Sequence, residues 1–263
     1  METLLTSPQQ TLKTSREPSR LTFGFTYFDE PERLRTQMAQ WEHYSQGCDI
    51  VLVDDGSEQT SAMEVIGDWR PPEWGPTLQV WRVTENLGFN SHGCRNLIAT
   101  VAPTEWIQFS DIDMLITPGE VGRFRTIHPT LNSVYHHLSY ERHTQKIIRR
   151  SGNSKWTGHL NCFMISKTNF WEAGGYDESF TGHHHGDREF MERISDIPNI
   201  KFRDTSVIVE CVRAGKHGSV NPSVDKTVYT SEDHFYAPMS TKRIEKLRGT
   251  KSTRLDFPYI REL

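Results

Sequence analysis

The stretch Trp106-Ile107-Gln108-Phe109-Ser110-Asp111-Ile112-Asp113 decides how the chain is read. Its first four residues are apolar or β-prone and read as a buried strand, which ends where the polar run begins. Two carboxylates at i and i+2 beyond a strand end can share a hard divalent cation with substrate phosphates. Mg²⁺ or Mn²⁺ suits such a site, because Asp111 and Asp113 offer oxygen ligands and no thiolate. Taken alone, the pair is equally an ordinary acidic loop, so its surroundings have to decide.

Working outward, residues 21–28 (LTFGFTYF) form a first apolar strand. Asp29-Glu30-Pro31-Glu32 then supplies an N-cap-like acid and a first-turn proline, and Leu34, Met38 and Trp41 recur at helical spacing. Residues 49–53 are a second strand closed by Asp54-Asp55-Gly56-Ser57; residues 78–83 are a third, and residues 91–101 a helix. Strands alternating with helices point to an α/β fold with an open, mostly parallel sheet and helices on both faces. In such sheets ligands bind beyond the carboxyl ends of the strands, so Asp54-Asp55 and Asp111/Asp113 are expected to face one crevice. The second half is less regular. Expected there are a hairpin over 134–139 and 146–150, a strand over 160–166 and a short helix over 169–173. A helix over 187–194, a strand over 207–209 and a basic helix over 241–248 complete it.

Composition narrows the class. The chain has 263 residues, 35% hydrophobic and 24% charged, with a formal net charge of −4. It is long enough for a sizeable core, and its aromatic content argues against disorder throughout. No apolar run approaches the roughly 18–20 residues that span a bilayer. The first residues lack the apolar core of a secretory signal, so a cytoplasmic location is expected. The net charge excludes a globally basic nucleic-acid-binding surface, though not a local patch. Cys48, Cys94, Cys162 and Cys211 form no C-x-x-C pair and read as reduced, buried thiols.

The motifs, in order, are Thr26-Tyr27, Val53-Asp54-Asp55-Gly56-Ser57, Asn86-Leu87-Gly88 leading to Arg95-Asn96, Asp111-Ile112-Asp113, Gly174-Gly175-Tyr176-Asp177-Glu178 and Gly186-Asp187-Arg188-Glu189. This series resembles the glycosyltransferase family 2 type of GT-A enzyme. The resemblance covers residues 21 to about 194. It implies a GT-A domain over 20–220, with a nucleotide-sugar half at about 20–115 and an irregular acceptor half at about 116–220. Residues 1–19 are a leader and 221–263 a basic C-terminal extension packed on the domain.

The resemblance also implies roles. Thr26 with one or both of Asp54 and Asp55 would hold the base and ribose of a nucleoside-diphosphate sugar, with Tyr27 among the donor-binding residues and Arg95 near the nucleotide. Asp111 would face the ribose or the metal's water shell, and Asp113 would bind Mn²⁺ or Mg²⁺. Asp187 would be the base that deprotonates an acceptor hydroxyl, giving inversion at the anomeric carbon; as a bare sequence feature it is equally a helix N-cap. His217 stands where some GT-A enzymes place a further metal or diphosphate ligand, and is otherwise a loop histidine.

Departures from the family pattern are Phe28, Cys94 in place of a small alanine, and Gly186 in place of the glutamate beside the base. His183, His184 and His185 read as a loop lining the acceptor pocket, with a solvent-facing loop or a metal site as the other readings. Trp156 could stack on a sugar or base, or simply fill the core. Arg142, Lys146, Arg149, Arg150 and Lys155, and the C-terminal Lys242, Arg243, Lys246, Arg248, Lys251 and Arg254, make basic patches. These are solvated faces or the binding surface for an anionic acceptor, which leaves glycan, membrane-linked polysaccharide and modified DNA bases open. A non-catalytic nucleotide-sugar-binding protein is the rival outside enzymology.

Overall fold

A computed structural model describes residues 21–88, 90–142, 144–148, 159–181, 186–212 and 255–263. The first half alternates as the sequence predicts. Strand β1 (Leu21–Tyr27) leads to helix α1 (Pro31–Trp41), β2 (Cys48–Asp54), α2 (Ala62–Ile66), β3 (Thr77–Val83), α3 (Ser91–Val101) and β4 (Trp106–Asp111). Then come β5 (Met114–Leu115), α4 (Pro118–Phe124), β6 (Ser133–Glu141), β7 (Lys146–Ile148), β8 (Phe163–Ser166), α5 (Lys167–Glu172), α6 (Gly186–Ser195), β9 (Lys201–Cys211) and β10 (Tyr259–Arg261).

All ten strands belong to one sheet, in the order β10-β3-β2-β1-β4-β8-β6-β9-β5, with β7 paired to β6. The block β3-β2-β1-β4 is parallel throughout. Beyond β4 the sheet turns mixed: β8 runs antiparallel to both β4 and β6, while β6 and β9 are parallel. The carboxyl ends of the parallel block therefore open onto one edge, the place where such sheets bind ligands.

Period-2 alternation divides the core between the two faces. Phe23, Phe25, Ile50 and Leu52 pack with α1, α2 and α4, whereas Val51, Val53, Ile107 and Phe109 pack with α3, α5 and α6. Gly24 faces α3, and a Cβ there would lie 2.4 Å from Ile98 Cγ2, so the glycine lets α3 lie directly on β1. Thr26 and Asp111 extend this same α3-facing set and are register partners.

Several local expectations need correction. The acid at the N-cap of α1 is Glu30, whose side chain makes no capping bond. Asp29 instead has φ 45° and accepts the backbone N–H groups of Glu58, Gln59 and Thr60, pinning the loop after β2. The strand expected over 160–166 begins only at Phe163, and the one expected over 207–209 is the end of the longer β9. The short elements α2, β5 and α4 lie where no element is expected, as does β10, the antiparallel neighbour of β3. The leader and the basic helix over 241–248 fall outside the described residues.

Candidate active site

Arg95 is the centre of the site. It projects from α3 toward the carboxyl end of β4 and is 1% exposed. Its Nη2 donates to Asp111 Oδ1 at 2.5 Å and its Nη1 to Asp187 Oδ1 at 2.7 Å. One guanidinium thus ties the last residue of β4 to the first turn of α6. The Tyr176 ring lies 5.3 Å from the guanidinium carbon. Burial opposes the Arg95 charge, but Asp187, with Asp111, more than offsets that and pushes its pKa up. The second oxygen of Asp111 accepts from Asn161 Nδ2 at 2.9 Å, which fixes the carboxylate plane.

The second acid of the D-x-D pair turns the other way. Ile112 and Asp113 form a tight turn, which carries the Asp113 carboxylate toward α1, where Arg33 Nη1 lies 3.8 Å from its Oδ2. The same Arg33 nitrogen donates to both oxygens of Glu30. Gln37 holds the turn from beneath: its fully buried Nε2 donates to the carbonyls of Ile112 and Met114. Val212 N donates to the Asp113 carbonyl, bringing the end of β9 to the same turn. Among the described residues no group of three His, Cys, Asp or Glu side chains converges on a metal position. Asp111 and Asp113 thus share one turn but are held by different arginines, one from α3 and one from α1.

Asp54 and Asp55 do not share one crevice. As consecutive residues at a strand end they point to opposite faces. Asp54 is fully buried, and its two oxygens accept from Ser57 N and Ala62 N, so it braces the loop and the start of α2. Asp55 accepts from Asn90 N on the α3 side, with the Cys94 thiol beside it; burial pushes its pKa up to about 7. Tyr27 is also buried, its hydroxyl donating to the Thr60 carbonyl. Of the residues expected to bind donor, Arg95 bonds Asp111, the register partner of Thr26, whereas Tyr27, Asp54 and Asp55 are buried with hydrogen-bond partners of their own.

Sequence reasoning missed Arg33, Gln37, His92, Asn161 and Tyr176. One signal was available: Gln37 stands at the i+3 position of the stripe Leu34, Met38, Trp41, where a polar side chain must have a buried partner. Nothing local marks Asn161, which reaches Asp111 only through the pairing of β8 with β4. The Gly-Gly-Tyr-Asp-Glu motif is held by Asn96, whose side chain donates to the Tyr176 carbonyl and to Glu178 and accepts from Tyr176 N. Of the basic residues, Arg142 pairs with Glu210 at the surface. Trp156, His183, His184, His185 and His217 lie outside the described residues, as do Arg149, Arg150, Lys155 and the basic positions from Lys242 to Arg254. The four cysteines are buried, and among the described residues no helix is long and apolar enough to cross a membrane.

A parallel block with its acids and a buried arginine at the carboxyl edge, continued by a mixed second half, is a GT-A fold, the architecture of a class of glycosyltransferases. Among solved structures, the chain is similar to the mannosyltransferase PcManGT from Pyrobaculum calidifontis, in complex with GDP-Man and Mn²⁺. There the TM-score is 0.58 at 14% identity, over 76% of this chain and 59% of that one. It is similar also to residues 1–349 of S. aureus TarS, with a TM-score of 0.56 at 11% identity, over 73% and 60% of the two chains. The chain therefore spans about 60% of the length of these neighbours. No family model and no curated protein matches the sequence.

Proposed function

We propose that the chain is a glycosyltransferase that moves a sugar from a nucleoside-diphosphate donor to an acceptor hydroxyl, with inversion. The observation that carries this reading is the Asp111–Arg95–Asp187 bridge. It sets a donor-side carboxylate and a base-like carboxylate on either side of one buried cation, at the edge where this fold binds its ligands.

Each residue then has a physical task. Arg95 fixes the orientation of both neighbours. Its bond to Asp187 uses Oδ1, and the side chain is 16% exposed, which leaves the carboxylate within reach of an acceptor. As the acceptor oxygen attacks the anomeric carbon, its proton passes to Asp187, the new C–O bond forms and the bond to the diphosphate breaks. Attack from the face opposite the leaving group inverts the centre. Thr26, register partner of Asp111, sits at the donor side. Asp113, with Asp111, would hold a Mn²⁺ or Mg²⁺ ion, which would supply charge neutralisation for the diphosphate. Support for such a donor and cation comes from the neighbour solved with GDP-Man and Mn²⁺.

The test is nucleotide release from a panel of nucleoside-diphosphate sugars, with Mn²⁺ and with excess chelator. Release from at least one donor, falling at least tenfold in chelator and again in Asp113→Ala, is the expected result. Nucleotide-sugar binding without turnover by any donor would instead mark a non-catalytic binding protein.

A further inference from the structure

Gly186, the first residue of α6, stands immediately before Asp187 in a position where the resemblance leads one to expect glutamate. The backbone does not demand a glycine there, since Gly186 is not among the residues with positive φ. Space does. A Cβ on Gly186 would lie 2.4 Å from His92 Nε2, 2.5 Å from Cδ2 and 3.0 Å from Cε1, at the distal edge of the ring. His92 belongs to the first turn of α3 and is fully buried. It has little room to swing away, because its ring packs against Tyr176 at 5.6 Å and Phe180 at 5.9 Å.

The contact is one link in a continuous set. Tyr176, which flanks His92, also lies by the Arg95 guanidinium and stacks on Phe190 of α6 at 4.2 Å. Arg95, one turn along α3 from His92, reaches Asp187, one residue beyond Gly186. The first turns of α3 and α6 are thus brought together with an imidazole filling the room a side chain at 186 would need. The distance between them decides whether Arg95 meets Asp187.

We propose that His92 and Gly186 form an interlocked pair that sets the position of Asp187 against Arg95, which makes His92 a positioning residue for the transfer reaction. The inference rests on the assignment of Asp187 as the base. Any side chain at 186 displaces the imidazole or the start of α6, and a shift of about 1 Å at a reacting group can lower turnover ~10²-fold.

Gly186→Ala, His92→Ala and the double variant test it by thermal unfolding and by steady-state transfer. Gly186→Ala is expected to lower Tm and to cut kcat at least tenfold, with donor KM within about twofold of wild type. His92→Ala in that background, by vacating the room, should restore much of both; the singles are then coupled rather than additive. If Gly186→Ala does not fold, folding of the double variant is itself the rescue. Additive losses in Tm, or a Gly186→Ala protein with wild-type kcat, overturn the proposal. A wild-type protein that turns over no donor overturns the functional reading and the positioning role with it. The unfolding data still decide the interlock.

Discussion

Asp54-Asp55 and Asp111-Ile112-Asp113 look alike in sequence, each a pair of acids closing a parallel strand, yet the fold puts them to different uses. In the first pair the carboxylates are adjacent and part to opposite faces, and Asp54 has both oxygens on backbone N–H groups. In the second, a turn at Ile112 and Asp113 sends one acid to the arginine of α3 and the other to the arginine of α1. A buried carboxylate whose oxygens are taken by backbone N–H groups of its own loop is scaffold; Asp111, held by the side chains of Arg95 and Asn161 and 18% exposed, is available for chemistry. Strand-end position alone does not distinguish them, whereas the hydrogen-bond partners do.

The contrast is broken most sharply at Asp187, the carboxylate that shares Arg95 with Asp111. Asp187→Asn keeps the shape and removes the proton acceptor, so transfer should fall roughly 10²- to 10⁴-fold while nucleotide binding stays close to wild type; the unfolding midpoint should fall too, because the buried Arg95 loses one of its two carboxylate partners. Transfer within a few-fold of wild type would remove Asp187 from the role of base and leave it as one end of a structural bridge.

Asp54→Ala should show the opposite signature. It strips the partners from two N–H groups in a buried loop, at about 1–3 kcal/mol each. A total loss of about 2–6 kcal/mol in urea unfolding is expected, with donor KM in the folded fraction changed less than about threefold. If stability holds and donor KM rises instead, Asp54 contacts the nucleotide and the division between scaffold and chemistry has been drawn in the wrong place.

How much of this was legible beforehand follows from the range of the contacts. The parallel block was readable because apolar strands, an amphipathic α1 and a helix beginning at Ser91 are all local patterns. The division of the two acidic pairs was not, since it depends on which face each residue takes at a strand end and on helices that arrive later in the chain. Gly186 could be recognised as a departure, but its reason, the His92 ring, lies far away in sequence. Likewise β10 is three residues that pair only because β3 offers an edge, and Asn161 is defined by a long-range antiparallel pairing. Short elements stabilised by distant partners leave little trace in composition or period.

The smallest expected effect tests Asp55, whose carboxyl is buried on the α3 side with a pKa raised from 3.8 to about 7. Because the folded form holds its proton more tightly than the unfolded chain, the native state binds more protons between about pH 4 and pH 7. Stability contributed by this group is therefore present below the unfolded pKa and lost as pH rises to about 7, with a limiting slope of ~1.4 kcal/mol per pH unit. His137 acts in the opposite sense. Burial lowers its pKa to about 3, so the unfolded chain gains the proton first and stability falls as pH drops from about 6.5 toward 3. The two slopes oppose each other over most of that window, and the wild-type profile should be comparatively flat. Asp55→Asn removes only the first, so its unfolding free energy should rise with pH from about 4 to 6.5 where the wild type's does not. Parallel profiles for the two proteins would mean that Asp55 is ionised beneath the crevice throughout, as a carboxylate serving the bound nucleotide would be.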